Sequence, residues 1–139
     1  MSMTMHVDIV SAEVEIFSDT ITELYAPAEM GEVGIMPRHA PLLAKLKPGE
    51  VRVVDQHGEE QSFFVNGGIL EVQPHVVTIL SDTAMRAADI DEAAALEAKA
   101  KAEAAMSDKK TDYDYARARI ELMEAVAQLE TINKLRKRK

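Results

Sequence analysis

The stretch "VQPHVVTILSDTAMRAADIDEAAALEAKA", residues 72–100, changes character halfway along, and that change decides the fold. Its first half, "HVVTILS", puts Val76 and Leu80 on one face of an extended segment and Val77 and Ile79 on the other. A strand that is apolar on both faces needs cover on both, so two packed sheets are expected rather than one open sheet. From Asp89 the β-branched residues give way to "DIDEAAALEAKAKAEAAM", a run of strong helix formers. It opens with Asp89, Asp91 and Glu92, carboxylates suited to the positive end of a helix dipole.

Working outward from that junction, residues 1–86 read as short strands separated by turn residues. "MTMHVDIV" sets Met5, Val7 and Ile9 on one face, "ITELYAP" stops at Pro27, and "GEVGIM" stops at Pro37. "VRVVD" and "QSFFV" flank "QHGEE", a hairpin turn in which Gly58 is free to take positive φ. The pair Gly67-Gly68 reads as a turn between "QSFFV" and "ILEVQ", and Pro74 as the turn after it. Downstream, "SDKKTD" breaks the first helix, and a second begins near Tyr113 with Thr111 or Asp112 as its cap. Its apolar stripe runs Tyr115, Ala118, Leu122, Ala125, Leu129, Ile132, widened by Met123 and Val126. The expected fold is α+β: an antiparallel β-sandwich over residues 1–86, then an antiparallel two-helix hairpin over residues 87–139. The first helix offers mostly alanine for packing, with Ile90 and Leu96 its larger groups, so the hairpin is expected to undock more easily than the sandwich unfolds.

Composition removes several function classes. The 139 residues suit one compact domain or a small domain with an appendage; 47% are hydrophobic, but aromatics are only 4%, so the core is aliphatic. Cysteine is absent, which excludes disulfides, thiolate catalysis and cysteine metal sites. No basic segment leads into an apolar run at the N-terminus, and nowhere do about 18 apolar residues follow one another, so neither a signal peptide nor a membrane span is expected. Residues 1–84 carry 13 acidic against 4 basic side chains, whereas residues 85–139 carry 11 against 12. So acidic a body argues against nucleic acid as a partner. The final "KLRKRK" reads mainly as a solvated helix end.

The segment "GEVGIMPRHAPLLAKLKPG", residues 31–49, is the most unusual in the chain, a Gly/Pro-rich loop with one histidine and three cations. It matches neither G-x-G-x-x-G nor the Gly-Lys-Ser/Thr ending of a phosphate loop. His39 has no nucleophile at a recognisable spacing, so a contact role is the simpler reading and membership of a hydrolase site the alternative. His6, His57 and His75 form no metal-ligand pair, and Asp89, Asp91 and Glu92 are more simply dipole partners than a cation site. No catalytic, metal or cofactor residues are expected.

"VDIVSAE", "GEVGIMPRHAPLLAKLKPG", "VNGGILEVQPHVVTILSDTAMRA" and "DIDEA", in this order and spacing, resemble the ε subunit of bacterial F-type ATP synthases over nearly the whole chain. The resemblance implies a non-catalytic subunit of the rotor stalk, peripheral to the bacterial cytoplasmic membrane on its cytoplasmic side and attached only through the complex. Its partners would be the γ subunit, the membrane c-ring and the catalytic α and β subunits. A turn at Glu32, Val33 and Gly34 would face the c-ring, with His39, Ala40, Pro41, Leu42 and Leu43 at the γ and c-ring contacts. The helices would form a regulatory arm that blocks ATP hydrolysis when extended, presenting Arg117, Arg119, Lys134 and Arg136 to acidic catalytic subunits. Some family members bind ATP on the folded hairpin through I/L-D-x-x-R-A. Here Ile90-Asp91 is followed by Ala94 where that arginine belongs, so no ATP binding is expected.

Overall fold

The computed structural model of the chain describes residues 3–107 and 112–138. Eight strands come first: β1 (Met5–Ser11), β2 (Glu15–Ile21), β3 (Glu23–Ala28), β4 (Gly31–Ile35), β5 (Leu42–Val54), β6 (Glu60–Val72), β7 (Val76–Ser81) and β8 (Ala84–Arg86). They hydrogen-bond in the order β2-β1-β7-β6-β5-β3-β4, with β8 on the free stretch of β6. The long strands β5 and β6 run through both layers of the sandwich and form one hairpin. Its turn is where the sequence placed it. The Asp55 carboxylate accepts the His57 and Glu59 backbone N–H groups at 2.8 and 3.0 Å, and Gly58 has φ 79°.

Two strand expectations change. Gly67 and Gly68 are not a turn: "QSFFV" and "ILEVQ" are one strand, β6. The glycine pair lies where β6 exchanges β7, paired through Ile69–Val72, for β8, paired through Phe63–Val65. Gly68 has φ 129°, and a Cβ there would stand 2.1 Å from the Leu80 carbonyl oxygen. The glycines therefore bend the strand around the corner between layers. The second change is that the sheet is not wholly antiparallel, since β1 pairs with β7 in parallel. No turn joins those two strands directly, so local pattern carries no sign of their direction.

The inner faces close over an aliphatic core in which Val7, Ile9, Val51, Leu70, Val77 and Ile79 are fully buried, with the Phe17 and Phe63 rings 5.2 Å apart. Met5, Val7 and Ile9 point inward together, as their alternation requires. Val76 and Leu80 do not share that fate. They are 41% and 50% exposed, and only the Val77 and Ile79 face of β7 is covered.

A 3-10 turn (Ala87–Asp89) leads to α1 (Glu92–Ser107) and α2 (Asp112–Lys137). Asp91 caps α1, its carboxylate accepting the Ala94 N–H at 3.0 Å. The link between the helices, with the proposed cap Thr111, lies outside the described residues. Ala118, Ala125 and Ile132 of the expected stripe are buried, while Met123 is exposed. On α1 the alanines Ala95 and Ala102 make the contact, and Leu96, expected to pack, faces solvent.

Candidate functional site

Residues 31–49 are strand, loop and strand rather than one loop. Glu32, Val33 and Gly34 form no turn of their own. They lie on the edge strand β4, paired with Pro27, Ala26 and Tyr25, and the hairpin turn is Glu29-Met30. Gly34 keeps β4 close to its neighbour, because a Cβ there would meet the Tyr25 ring at 3.1 Å. That ring is held in place by Arg52 stacked 4.2 Å above it and by its hydroxyl donating to Glu23 at 2.6 Å. His39, Ala40 and Pro41 belong to the loop after β4, and Leu42 and Leu43 begin β5. Arg38 has φ 67°, and its N–H donates to the Pro74 carbonyl at 2.9 Å, fastening this loop to the turn before β7. The His39 Nδ1 lies 2.6 Å from the Ala40 carbonyl oxygen, a local contact that fixes the ring against its own loop. The expected contact residues thus fall into two groups, one on the edge strand and one at the start of β5, separated by β3.

Beside the second group lies a surface that the sequence led us to expect as buried. Strand register places Lys45, Ile69, Leu80 and Val10 in one row across β5, β6, β7 and β1. Leu43 lies two residues along on the same outward face. Leu43 is 70% exposed, Ile69 44% and Leu80 50%, so large aliphatic side chains stand beside Lys45 and Glu71 on a face that none of the described residues covers.

On the same outer side of β1 and β2, Asp8, Ser18 and His6 come together. The Ser18 hydroxyl donates to Asp8 Oδ1 at 2.6 Å, and His6 Nε2 lies 2.9 Å from that oxygen and 3.1 Å from Ser18 Oγ. The Asp8 carboxyl is held below its usual value, first by the Ser18 hydroxyl and then by His6. A catalytic relay needs the histidine between nucleophile and acid, each on its own ring nitrogen. Here serine gives its hydrogen to the carboxylate and one nitrogen faces both, which makes a surface polar knot and no activated nucleophile.

The arm docks mainly through α2, on the stretch of β5 and β6 beyond the glycine corner. Glu124, Ala127, Thr131, Leu135 and Arg138 follow one another at helical spacing and make a second, small and polar stripe on α2. Ala127 and Thr131 are buried, and the Glu124 carboxylate accepts the Asn66 amide N–H at 2.9 Å. Glu50 on β5 has a side chain only 4% exposed and receives both Arg138 guanidinium nitrogens, at 2.5 and 2.7 Å, plus the Ser62 hydroxyl at 2.5 Å. Phe64, opposite Glu50 in register, is fully buried yet outside the sandwich core. Arg136 bonds Glu92 and ties α2 to α1, so the tail is not simply a solvated helix end. Arg117 pairs with Glu121 one turn on, and Arg119 and Lys134 are exposed. The cleft between the helices is lined by Leu96, Val126 and Leu129 together with Glu92, Lys99, Glu130 and Asn133, and Glu92 is already paired with Arg136; Ala94 is exposed on α1. Among the described residues no helix is long and apolar enough to cross a membrane, and no group of three potential ligands is placed to hold a metal ion.

A sandwich with exposed aliphatic side chains on one outer face and a helical arm docked on another is the arrangement of a subunit that has partners in a larger assembly. Residues 4–87 match the model of the ATP synthase delta/epsilon chain beta-sandwich domain, and residues 88–133 that of its long alpha-helix domain. The chain belongs to the ATP synthase delta/epsilon chain family. It is 67% identical over 138 residues to the ATP synthase epsilon chain of Nitrosococcus oceani, covering 99% of each chain. Against that of Thioalkalivibrio sulfidiphilus it is 62% identical, covering 99% of this chain and 98% of the other. The fold matches a chain in the Euglena gracilis mitochondrial ATP synthase, with TM-score 0.82 and 21% identity over 91% of this chain and 79% of that one. A chain in the Tetrahymena thermophila mitochondrial ATP synthase central stalk and c-ring gives TM-score 0.60 at 13% identity, over 92% and 96% of the two chains.

Proposed function

We propose how this chain, a non-catalytic epsilon subunit of an F-type ATP synthase, works in the rotor. The sandwich, residues 1–86, seats on γ through the outer face around Leu43, Ile69 and Leu80 together with His39, Ala40, Pro41 and Leu42. The β3–β4 hairpin turns Glu32, Val33 and Gly34 toward the polar loops of the c-ring. Membrane association is indirect, at the cytoplasmic side of the bacterial membrane. The reading rests on one observation: Leu43, Ile69 and Leu80 stand exposed on one outer face of an otherwise acidic sandwich. Such a face is costly in water and is the kind of surface a permanent partner buries.

The helices, residues 87–139, act as the regulatory arm. Docked, they are permissive; extended along γ, they bring Arg117, Arg119, Lys134 and Arg136 to the catalytic subunits and block hydrolysis. Alanine-rich contacts suit an arm that must leave, because nearly balanced states shift for a few kcal/mol. Ala94, standing where an arginine would supply a phosphate partner, supports an arm that carries no ATP.

Deleting residues 89–139 tests the arm: assembly should persist and ATP hydrolysis by the complex should rise, whereas unchanged hydrolysis removes the inhibitory role. The seating is tested with Glu32→Cys, the chain having no other cysteine. Disulfide or reagent crosslinking in the assembled complex should capture a c-ring or γ subunit, and capture of neither overturns the placement.

A further inference from the structure

We propose that Glu50 is a charge-operated catch for the arm: a carboxylate buried under α2 whose occupation by Arg138 sets how often the arm leaves the sandwich. The inference rests on the reading that the arm moves, and it names the contact that regulates that movement.

Three observations carry it. Glu50 is one of few charged side chains buried among the described residues, and it lies on the outer side of β5, under the arm and not in the sandwich core. All three donors that satisfy it, two from Arg138 and one from Ser62, converge on its two oxygens. Only the Ser62 donor belongs to the sandwich, so departure of α2 leaves the carboxylate to water. The remaining contact of α2 with the sandwich is made by Ala127, Thr131 and Leu135 over the buried Phe64 ring and by the Asn66–Glu124 hydrogen bond. Phe64 supplies apolar area without direction, whereas the bidentate Glu50–Arg138 pair is the charged, directional tie between arm and sandwich.

Placement makes the tie responsive. Arg138 is 32% exposed in its side chain, and a cleft lined by Arg52, Glu60, Gln61, Ser62 and Leu135 admits water and ions to it from one side. Glu60 and Glu32 add their field to Arg138, and Lys134, one turn back on α2, adds its field to Glu50. Two residues before Arg138, Arg136 bonds Glu92 on α1, so the same turn of helix holds the hairpin shut and the arm down.

A catch of this design is asymmetric. Taking away Arg138 leaves a bare carboxylate buried in the docked state and hydrated in the undocked one. Taking away the charge of Glu50 leaves Arg138 free to turn to solvent, which costs much less. The test is amide hydrogen exchange on the full-length chain, with β5 and β6 core amides as the internal reference. Arg138→Gln should speed exchange along α2 by about tenfold or more, and Glu50→Gln by less. The double variant should exchange more slowly than Arg138→Gln alone. In the wild type α2 exchange should rise between low and about 1 M salt, and in Glu50→Gln it should not. Unchanged α2 exchange in Arg138→Gln, or a double variant whose effect is the sum of the singles, overturns the catch. In the reconstituted complex, Glu50→Gln should lower ATP hydrolysis. Faster α2 exchange with unchanged hydrolysis keeps the catch and overturns the inhibitory role of the arm.

Discussion

The hairpin of β5 and β6 wears two different outer surfaces. On one side of the glycine corner it shows Leu43, Ile69 and, from β7, Leu80, all exposed. On the other side it shows Glu50, Ser62, Phe64 and Asn66, all under α2. Apolar area associates without direction and releases only when water can return, so the bare half suits a partner that stays. The covered half buries one ring, Phe64, and surrounds it with directional, charge-assisted bonds that water and ions can replace one at a time, which suits a partner that leaves. If the proposed seating and arm motion hold, a single pair of strands separates a permanent joint from a reversible one.

The sharpest way to break that separation is at the corner itself. Gly68→Ala should cost about 3 kcal/mol or more, since the added methyl meets the Leu80 carbonyl and the backbone sits in a region hostile to side chains. Chemical denaturation of the free chain measures it, and an unchanged midpoint would show that the strand turns the corner without help. Next comes the bare half. Ile69→Asp with Leu80→Asp should leave the free chain within about 1 kcal/mol of wild type and weaken binding to γ by at least about tenfold, read by titration of γ. Equal affinity would place γ elsewhere. On the covered half, Asn66→Ala should loosen the arm by about 1 kcal/mol, seen as faster exchange in α2 and not in the sandwich.

The smallest effect is a dependence on acid. Burial pushes the Glu50 carboxyl up, but Arg138, Ser62 and Lys134 together bring it below its usual value. A group whose value is lower docked than undocked stabilises docking above the usual carboxylate range. That contribution fades as pH falls through the docked value. Protection of α2 should be flat from about pH 8 to about pH 5 and should fall in stronger acid, with Glu50→Gln removing the fall.

Much of this architecture was legible because the relevant signals are local. Alternation at Met5, Val7 and Ile9, the Asp55–Gly58 turn and the alanine run after Asp91 each specify their own structure within a few residues. The glycine pair misled because one residue type serves turns and strand corners alike, and only the partners of β6 tell them apart. Val76 and Leu80 misled for a different reason. Apolar residues on both faces of a strand say that both will be covered, not that the same chain covers them. The docking stripe Glu124, Ala127, Thr131, Leu135, Arg138 was there at helical spacing, but polar and small, so a search for apolar periodicity passed over it. Nothing in the sequence around Glu50 marks it as buried, since its burial depends on Arg138, far along the chain.

The parallel pairing of β1 with β7 has a consequence for synthesis. During translation β1 emerges first, and its place beside β7 cannot be filled until Ser81 has left the ribosome. Nearly the whole sandwich must therefore wait and close together, while the helices are still being made or are inside the exit tunnel. The arm then meets a sandwich whose core strands are already paired, while Glu50 and Phe64 on the outer face wait for it. An arm added after the sandwich has closed is one whose departure would leave the pairing of β1 with β7 in place.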